Sequence, residues 1–598
     1  MKVSLKWLQT YFDAPLPPAE QIADALTFHA FEIEEIQGDM LDVKVLPNRA
    51  ADCLSHRGIA KELSAILDIP LTNDPLRRDV GTSYVPTSLT VEIEDPKKCS
   101  RYMGALVKRV RIGPSPAWLK KALESVGQRS INNIVDATNY VMLNIGQPLH
   151  AFDARRLKLE AGCLKIGVRN AKQGEQITTL SGEAFALNPS TLLITDENAG
   201  APIALAGVKG GNVAELTAET TDLVVESANF NGTSVRKTAQ TLKLPTDASQ
   251  RFQNRPSPEL CAYGMRDVLA LITDIAGGEV VGVVDEYPAR PETKPVLVTL
   301  ARINGLLGSS FSRDEVLGVC TRLGLETKSE GDSFTITPPF ERTDLTIPED
   351  FAEEVGRILG YDRIPAAELP PTLGTPDQSR YRGIERMKDQ LVEQGFTEVS
   401  TQSFAKKGDI LLANPLDKTK PALRTSLEQN LQEAFARAKQ YAPLVLAPNQ
   451  KPKLFEVGTV FQKDGEKLEV KTSEPVSDLP EIRDDANYVP KRYELGAYKP
   501  FSVYPFIVRD ISAFSPETGE MQSYDPTQES EFEKLIQESA GPLLIRIVHF
   551  DAFQKGKRIS YTSRLTFQSM ERTLTDGEVN GIMEKVSAML HTAGYEVR

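Results

Sequence analysis

The chain has 598 residues, 40% hydrophobic and 25% charged, with a formal net charge of −13. At about 100 to 200 residues per domain this implies roughly three to six domains with ample core, and no apolar run approaches the ~18 residues of a membrane span. The five cysteines (Cys53, Cys99, Cys163, Cys261, Cys320) are far apart and form no CxxC pair, which excludes a disulfide framework or zinc ribbon and fits a reducing cytosol. The acidic balance argues against a general nucleic-acid binder, although an acidic protein can carry a local basic face. MKVSLKWLQTYFDAPLPP lacks the apolar centre and cleavage site of a secretory signal, so a cytoplasmic location is expected.

Residues 1–75 begin with an amphipathic group (Leu5, Trp7, Leu8, Tyr11, Phe12), then a strand-like FEIEEI and LDVKV. Pro47-Asn48-Arg49 reads as a turn, and Ile59, Leu63 and Ile66 mark a helix. Residues 76–290 are rich in short strands. Within them, residues 132–153 set Asp136, Thr138, Asn139, Gln147 and His150 around an apolar run, the composition of a polar-floored pocket. Asn133 to Leu143 fits either a helix or a short buried strand, and Gly146-Gln147-Pro148 breaks it and turns the chain at His150. Alone, a histidine in this setting is ordinarily a satisfied core residue. Gly207, Gly210 and Gly211 lack a following GK[ST] or dinucleotide spacing, so they do not make a phosphate loop.

Residues 291–368 form a compact module. Ser312 and Glu315 make a capping box ahead of Val316, Cys320 and Leu323, Phe334–Ile336 reads as a strand, and Thr346 with Glu349 makes a second box ahead of Phe351, Val355 and Ile358. Asp344, Asp350, Glu353 and Glu354 cluster at this second helix. Four hard oxygen donors suit Mg²⁺, and an acidic first turn complementing the helix dipole accounts for the same spacing. Residues 369–495 carry a helix (Ile384, Met387, Leu391), then FTEVSTQSF, ANPLDKTKPALRTSL and LFEVGTVFQKDG. Residues 496–598 show strands around Ile545 and Ile547 and around Tyr561 to Phe567. A closing helix follows, capped by Thr575 and Glu578, with Val579, Ile582, Val586 and Leu590 buried. Lys555, Lys557 and Arg558 stand on a loop, where they could contact phosphate or simply be solvated.

The stretch at 132–153, with PNRADCLS, IALAGVKGG, VVESANF, LPTDASQRF and the C-terminal HFDAFQKGKRISYTSRLTFQ, resembles in order the beta subunit family of bacterial phenylalanine-tRNA ligases. The resemblance covers nearly the whole chain. It implies an α+β, multidomain fold: an N-terminal structural module, a B3/B4-type editing domain of mixed strands, a small winged-helix-like module, a degenerate class II synthetase core and a C-terminal ferredoxin-like anticodon-binding domain. An inserted oligonucleotide-binding-fold module, usual after the FEIEEI-like strand, is missing. In the core, Gln462 stands where a class II enzyme has an ATP-gripping arginine, and no glycine-rich third motif follows.

The resemblance further implies an alpha2-beta2 heterotetramer in the cytoplasm, not at a membrane, that acts on tRNA(Phe). The alpha subunit binds ATP and phenylalanine, and this chain hydrolyses tRNA mischarged with tyrosine. A hydrophobic pocket rejects one extra hydroxyl by only about 10²-fold, so a second site that reads the phenol has a clear purpose. Carried over residue by residue, the editing pocket falls on Thr138, Asn139, His150, Ala206, Gly207, Glu226, Thr246 and Ala248. Glu226 would accept the phenol's hydrogen bond and His150 would position water or the terminal ribose. RFQNRPSPEL (251–260) departs from the family's more acidic, glycine-rich continuation and bears on the rim. The acidic set, Asp344, Asp350, Glu353 and Glu354, corresponds to a Mg²⁺ site. A non-enzymatic, tRNA-binding scaffold with degenerate editing is the alternative, and a freestanding editing hydrolase is disfavoured by the retained core and C-terminal domain.

Overall fold

The computed structural model describes residues 1–81, 88–288, 290–371, 374, 376–493, 497–517 and 523–598, and divides into two units, Met1–Leu369 and Pro370–Arg598. Among the described residues no helix is long and apolar enough to cross a membrane.

The first unit starts with a three-stranded sheet in the order Lys2–Ser4, Met40–Val43, Ile33–Gln37. Gln37 pairs with Met40, so a two-residue turn joins the two strands directly, and Gly38 supplies the positive φ (+59°) that the turn needs. The helix His56–Leu67 packs behind it, capped by the Ser55 hydroxyl, which accepts the Gly58 N–H at 2.9 Å. A Cβ at Gly58 would lie 2.0 Å from the Asp52 carbonyl, so only glycine lets the helix start this close to the preceding turn.

Two sheets form the middle of this unit. One is antiparallel, in the order Glu279–Glu286, Cys99–Lys108, Leu223–Phe230, Leu149–Asp153; the other has five strands, ordered Lys209–Gly210, Ala201–Leu205, Leu192–Asp196, Leu164–Asn170, Leu89–Ile93. All eight residues of Leu223–Phe230 are buried because both of its faces are covered. Val224, Ala228 and Phe230 join Ile166, Val168, Leu193 and Ile203 between the sheets. Leu223 and Val225 join Ile134, Ala137 and Val141 of the helix Asn133–Ile145 and Val268 and Ile272 of the helix Leu260–Ala276 on the other side. The choice at 133–143 is thus a helix. Asn132 caps it by accepting the N–H groups of Ile134 (3.1 Å) and Val135 (2.9 Å), and Gly146 ends it at φ +89°. His150 differs from expectation: it lies within the strand Leu149–Asp153 and not in a turn.

The last part of the unit is a three-stranded sheet, Val296–Thr299, Ser333–Thr337, Glu326–Glu330, under the helices Leu300–Leu307, Arg313–Leu323 and Pro348–Leu359. The Ser312–Glu315 box forms as expected. The second box is displaced by one residue. Pro348 takes the first helical position, where its missing N–H costs nothing, and Asp350 Oδ2 accepts the N–H groups of Thr346 (2.7 Å) and Ile347 (2.9 Å). Glu349, expected to cap, instead pairs with Arg302.

In the second unit, the helix Ser379–Glu393 and the long hairpin Leu454–Gln462 with Gly465–Thr472 enclose a small core of Met387, Leu391, Phe396 and Phe455. The C-terminal part has the strand and helix order βαββαβ. Its antiparallel sheet runs Leu544–Lys555, Arg558–Phe567, Ile507–Phe514, Glu596–Val597, with the helices Pro526–Ala540 and Asp576–Thr592 packed on it, which is the ferredoxin-like arrangement. Thr575 and Glu578 form the expected capping box.

Candidate functional site

Glu226 stands near the middle of the buried strand Leu223–Phe230, directly opposite His150 on one neighbour and Gly104 on the other. Directly opposed residues of antiparallel strands share a face, so Glu226 and His150 both point into the space between the two sheets. A pocket of about 60 Å³ opens there, lined by His150, Glu226, Gly207, Lys209, Gly210, Ala248 and Phe252 among others. The glycines make the room. A Cβ at Gly210 would lie 2.7 Å from His150 Nε2, and one at Gly207 would lie 2.9 Å from Phe252 and Val235, at a φ of +69° that already favours glycine.

The two titratable groups are held uncharged at neutral pH. Burial pushes the Glu226 carboxyl up to about 8, a rise that the Tyr102 hydroxyl, donating to Oε2 at 3.0 Å, only partly offsets. Burial also lowers the His150 imidazole to about 4, and its ring meets Phe152 edge-on at 4.6 Å. A neutral imidazole can accept a proton or hydrogen bond from water, and a carboxyl at 5% exposure is a costly group to leave without a partner.

Of the eight residues expected at this site, four line the pocket: His150, Gly207, Glu226 and Ala248. Thr246 lies behind the wall, where its hydroxyl donates to the Val208 carbonyl at 3.0 Å and caps the helix Asp247–Gln253 that carries Ala248. Ala206 is buried next to Gly207. Thr138 and Asn139 are not among the lining residues. The apolar stripe of their helix packs on the sheet face opposite to Glu226, and the Thr138 hydroxyl donates to Val135 O at 2.7 Å. Tyr102 was not anticipated, since a tyrosine in an apolar strand signals core and only the three-dimensional pairing brings it to Glu226.

Asp344, Asp350, Glu353 and Glu354 all line one cleft of about 170 Å³, together with Asn48, Arg49 and Arg357. Their chemistry is divided. Arg342 grips Asp344 with two bonds (2.9 and 2.7 Å) and reaches Glu354 at 2.9 Å; Arg357 bonds Glu354 at 2.8 and 2.5 Å and Glu62 at 2.6 Å. Burial works to raise the Glu354 carboxyl, but Arg342 and Arg357 outweigh it and hold it well below the usual range. Among the described residues the one trio of metal-type ligands within 4.8 Å of one another is Asp52, Cys53 and Glu62, and Arg49 already bonds all three. Asp350 and Glu353 make no ion pair to these arginines. As hard oxygen donors on one cleft wall, these two fit a hydrated Mg²⁺, whereas Asp344 and Glu354 are committed to guanidinium groups.

In the second unit, Glu456 is consumed by its neighbours: Arg424 donates to it at 2.8 Å, the Thr401 hydroxyl at 2.7 Å and the Thr401 N–H at 3.0 Å. Gln462 ends its strand, paired with Gly465. Lys555 and Arg558 flank the Gly556–Lys557 turn, where Arg558 pairs with Glu596 and lies 5.1 Å over the Phe514 ring.

A pocket between two sheets in the first unit and a ferredoxin-like domain at the end of the second are the parts expected of a multidomain aminoacyl-tRNA synthetase subunit. Family models agree along the chain: a B3/4 domain matches residues 98–277, a tRNA synthetase B5 domain 296–361, a phenylalanyl tRNA synthetase beta chain CLM domain 364–477 and a ferredoxin-fold anticodon binding domain 502–598. The chain is 31% identical to the phenylalanine-tRNA ligase beta subunit of Geobacillus kaustophilus, over 94% of this chain and 80% of that protein. For the Clostridium acetobutylicum beta subunit the values are 30%, 95% and 81%. Against that of Rhodopirellula baltica they are 37%, 71% and 62%, so the match spans under two thirds of that relative's length. The chain belongs to the phenylalanine-tRNA ligase beta subunit family.

Proposed function

We propose that this chain works in the cytoplasm as the beta subunit of a phenylalanine-tRNA ligase, in an alpha2-beta2 assembly whose alpha subunit activates phenylalanine with ATP. Its own reaction is hydrolysis of tyrosyl-tRNA(Phe). The observation that carries this reading is the face-to-face placement of Glu226 and His150 beside glycine-cleared space between two sheets. Water, held by the neutral His150 imidazole, attacks the ester carbonyl; the terminal ribose oxygen leaves with a proton, giving tyrosine and free tRNA. Glu226 selects the substrate because a phenol satisfies its carboxyl and a phenylalanine ring does not.

A cavity that takes up benzene measures about 150 Å³. This pocket is smaller, so seating a phenol displaces lining side chains on its partly exposed side, where Gly207, Lys209 and Ala248 stand. The buried Glu456 network and Gln462 support a core that does not form adenylate. Mg²⁺ would be held by Asp350 and Glu353 with retained waters, supplying charge compensation at the start of the helix Pro348–Leu359. The basic turn at Lys555, Lys557 and Arg558 would meet tRNA phosphate. Deacylation of tyrosyl-tRNA(Phe) by the complex reconstituted with an alpha subunit tests the reading. Absence of hydrolysis, with phenylalanine charging intact, would leave a tRNA-binding scaffold.

A further inference from the structure

We propose that Tyr102 is the positioning residue of this pocket: by donating to Glu226 Oε2 it turns Glu226 Oε1 toward the substrate and fixes which oxygen reads the phenol. The inference rests on the hydrolytic reading above. Tyr102 lies on the strand Cys99–Lys108 opposite Ala228, and so diagonal to Glu226, within reach of a long aromatic side chain. Gly104, the residue directly opposite Glu226 on that strand, has no side chain to compete for the carboxyl. The tyrosine ring is fully buried in the core between the sheets, so its hydroxyl is a fixed point, whereas a glutamate side chain has three rotatable bonds.

The direction of this bond places the proton. With the Tyr102 O–H donating to Oε2, the arrangement that suits a neutral Glu226 best has Oε2 as its carbonyl-type oxygen, the better acceptor, and its own proton on Oε1. Oε1 then donates to the oxygen of an incoming tyrosyl hydroxyl; when Glu226 is ionised, Oε1 accepts from that hydroxyl instead. Both states bind a phenol, the ionised one more tightly because its hydrogen bond is charge-assisted, so the rate carries a step at the Glu226 titration; neither state finds a partner on a phenylalanine ring. The protein's own phenol occupies one carboxyl oxygen, and the substrate's phenol takes the other.

Tyr102→Phe keeps the ring and removes the hydroxyl. In the reconstituted complex it should slow hydrolysis of tyrosyl-tRNA(Phe) by about 10-fold, the weight of one hydrogen bond to an ionisable group. It should also move the Glu226-linked step of the pH–rate profile upward, because the ionised carboxylate loses a donor. In a Glu226→Ala background the same substitution should have no further effect, since there is no carboxyl left to orient. Equal slowing in both backgrounds would mean that the hydroxyl serves only packing, and an unchanged rate and pH profile in Tyr102→Phe would overturn the proposal outright. If the Glu226→Ala rate is too low to read, the pH profile of Tyr102→Phe alone decides. A parent complex that hydrolyses nothing removes the hydrolytic reading and this inference together, whereas an active parent matched by Tyr102→Phe removes only the inference.

Discussion

Replacing Glu226 with alanine separates two hydrogen bonds that the carboxyl serves. One is internal: the fully buried Tyr102 hydroxyl loses its acceptor, and an unpaired buried polar group costs about 1 to 3 kcal/mol, which appears as lost stability in both the free and the bound protein. The other belongs to the substrate. A phenol in the pocket without its partner costs a similar ~1 to 3 kcal/mol, and this part enters the rate, at about 5- to 150-fold. Alanine also opens space for water next to a pocket of about 60 Å³, and water can satisfy the phenol, so the low end, about 10-fold, is expected. Glu226→Gln should fall between parent and alanine, because its amide oxygen can still accept from Tyr102 while its N–H₂ meets the phenol oxygen. The assay is single-turnover deacylation of purified tyrosyl-tRNA(Phe) by the complex, with phenylalanyl-tRNA(Phe) as the comparison substrate. An alanine variant that hydrolyses the tyrosyl ester at the parent rate would refute the assignment of Glu226 as reader.

Four further outcomes follow from the geometry. Glu226 is raised to about 8 from an ordinary 4.5, so the stability tied to its protonated form is fully present below about 4.5 and lost as pH rises through 8; Glu226→Gln lacks this loss, and its melting temperature relative to the parent should climb between about pH 4.5 and 8 and level off above. A flat difference would show that the carboxyl is not held neutral. Gly210→Ala should slow deacylation several-fold, because the new methyl would sit 2.7 Å from His150 Nε2; a parent-like rate would mean the imidazole has slack. Neutralising Asp350 and Glu353 together as Asn and Gln should weaken the magnesium dependence of assembly, where a purely dipolar role would cost only about 0.3 to 1 kcal/mol per carboxylate and leave metal content unchanged. The chain alone should catalyse no phenylalanine-dependent ATP–diphosphate exchange, and any such exchange would reject the inactive-core reading.

Local rules carried the elements whose signals are local. Ser312 with Glu315 and Thr575 with Glu578 cap the helices they were expected to cap, since a capping box is complete within four residues. The box at Thr346 slipped because Pro348 decides the first helical position and two acidic candidates, Glu349 and Asp350, stood side by side. At 133–143 periodicity could not separate helix from buried strand, and the Asn132 cap settled it. The helix Pro526–Ala540 escaped notice because its polar sequence buries only Phe532, Ile536 and Ala540. For the pocket, the resemblance carried Glu226 and His150, but their opposition across two strands is a register, and register depends on pairing between segments about 75 residues apart. Tyr102 was invisible for the same reason.

Glu226 and Glu354 are both buried carboxyls, and their surroundings give them opposite chemistry. Glu354 sits between Arg342 and Arg357, whose attraction exceeds the cost of burial, so it stays ionised and ties the helix Pro348–Leu359 through Arg357 to Glu62 of the N-terminal module. A charge so matched has nothing left to offer a ligand. Glu226 has only the Tyr102 hydroxyl against it, too weak to offset burial, so the carboxyl holds its proton and keeps unspent hydrogen-bonding capacity facing a pocket. The difference shows where function can reside in this chain. Glu62 and Glu354, enclosed by arginine, tie the N-terminal module to the helix Pro348–Leu359, whereas Glu226, buried with no arginine beside it and facing a pocket, keeps the hydrogen-bonding capacity that the proposed discrimination between two amino acids differing by one hydroxyl requires.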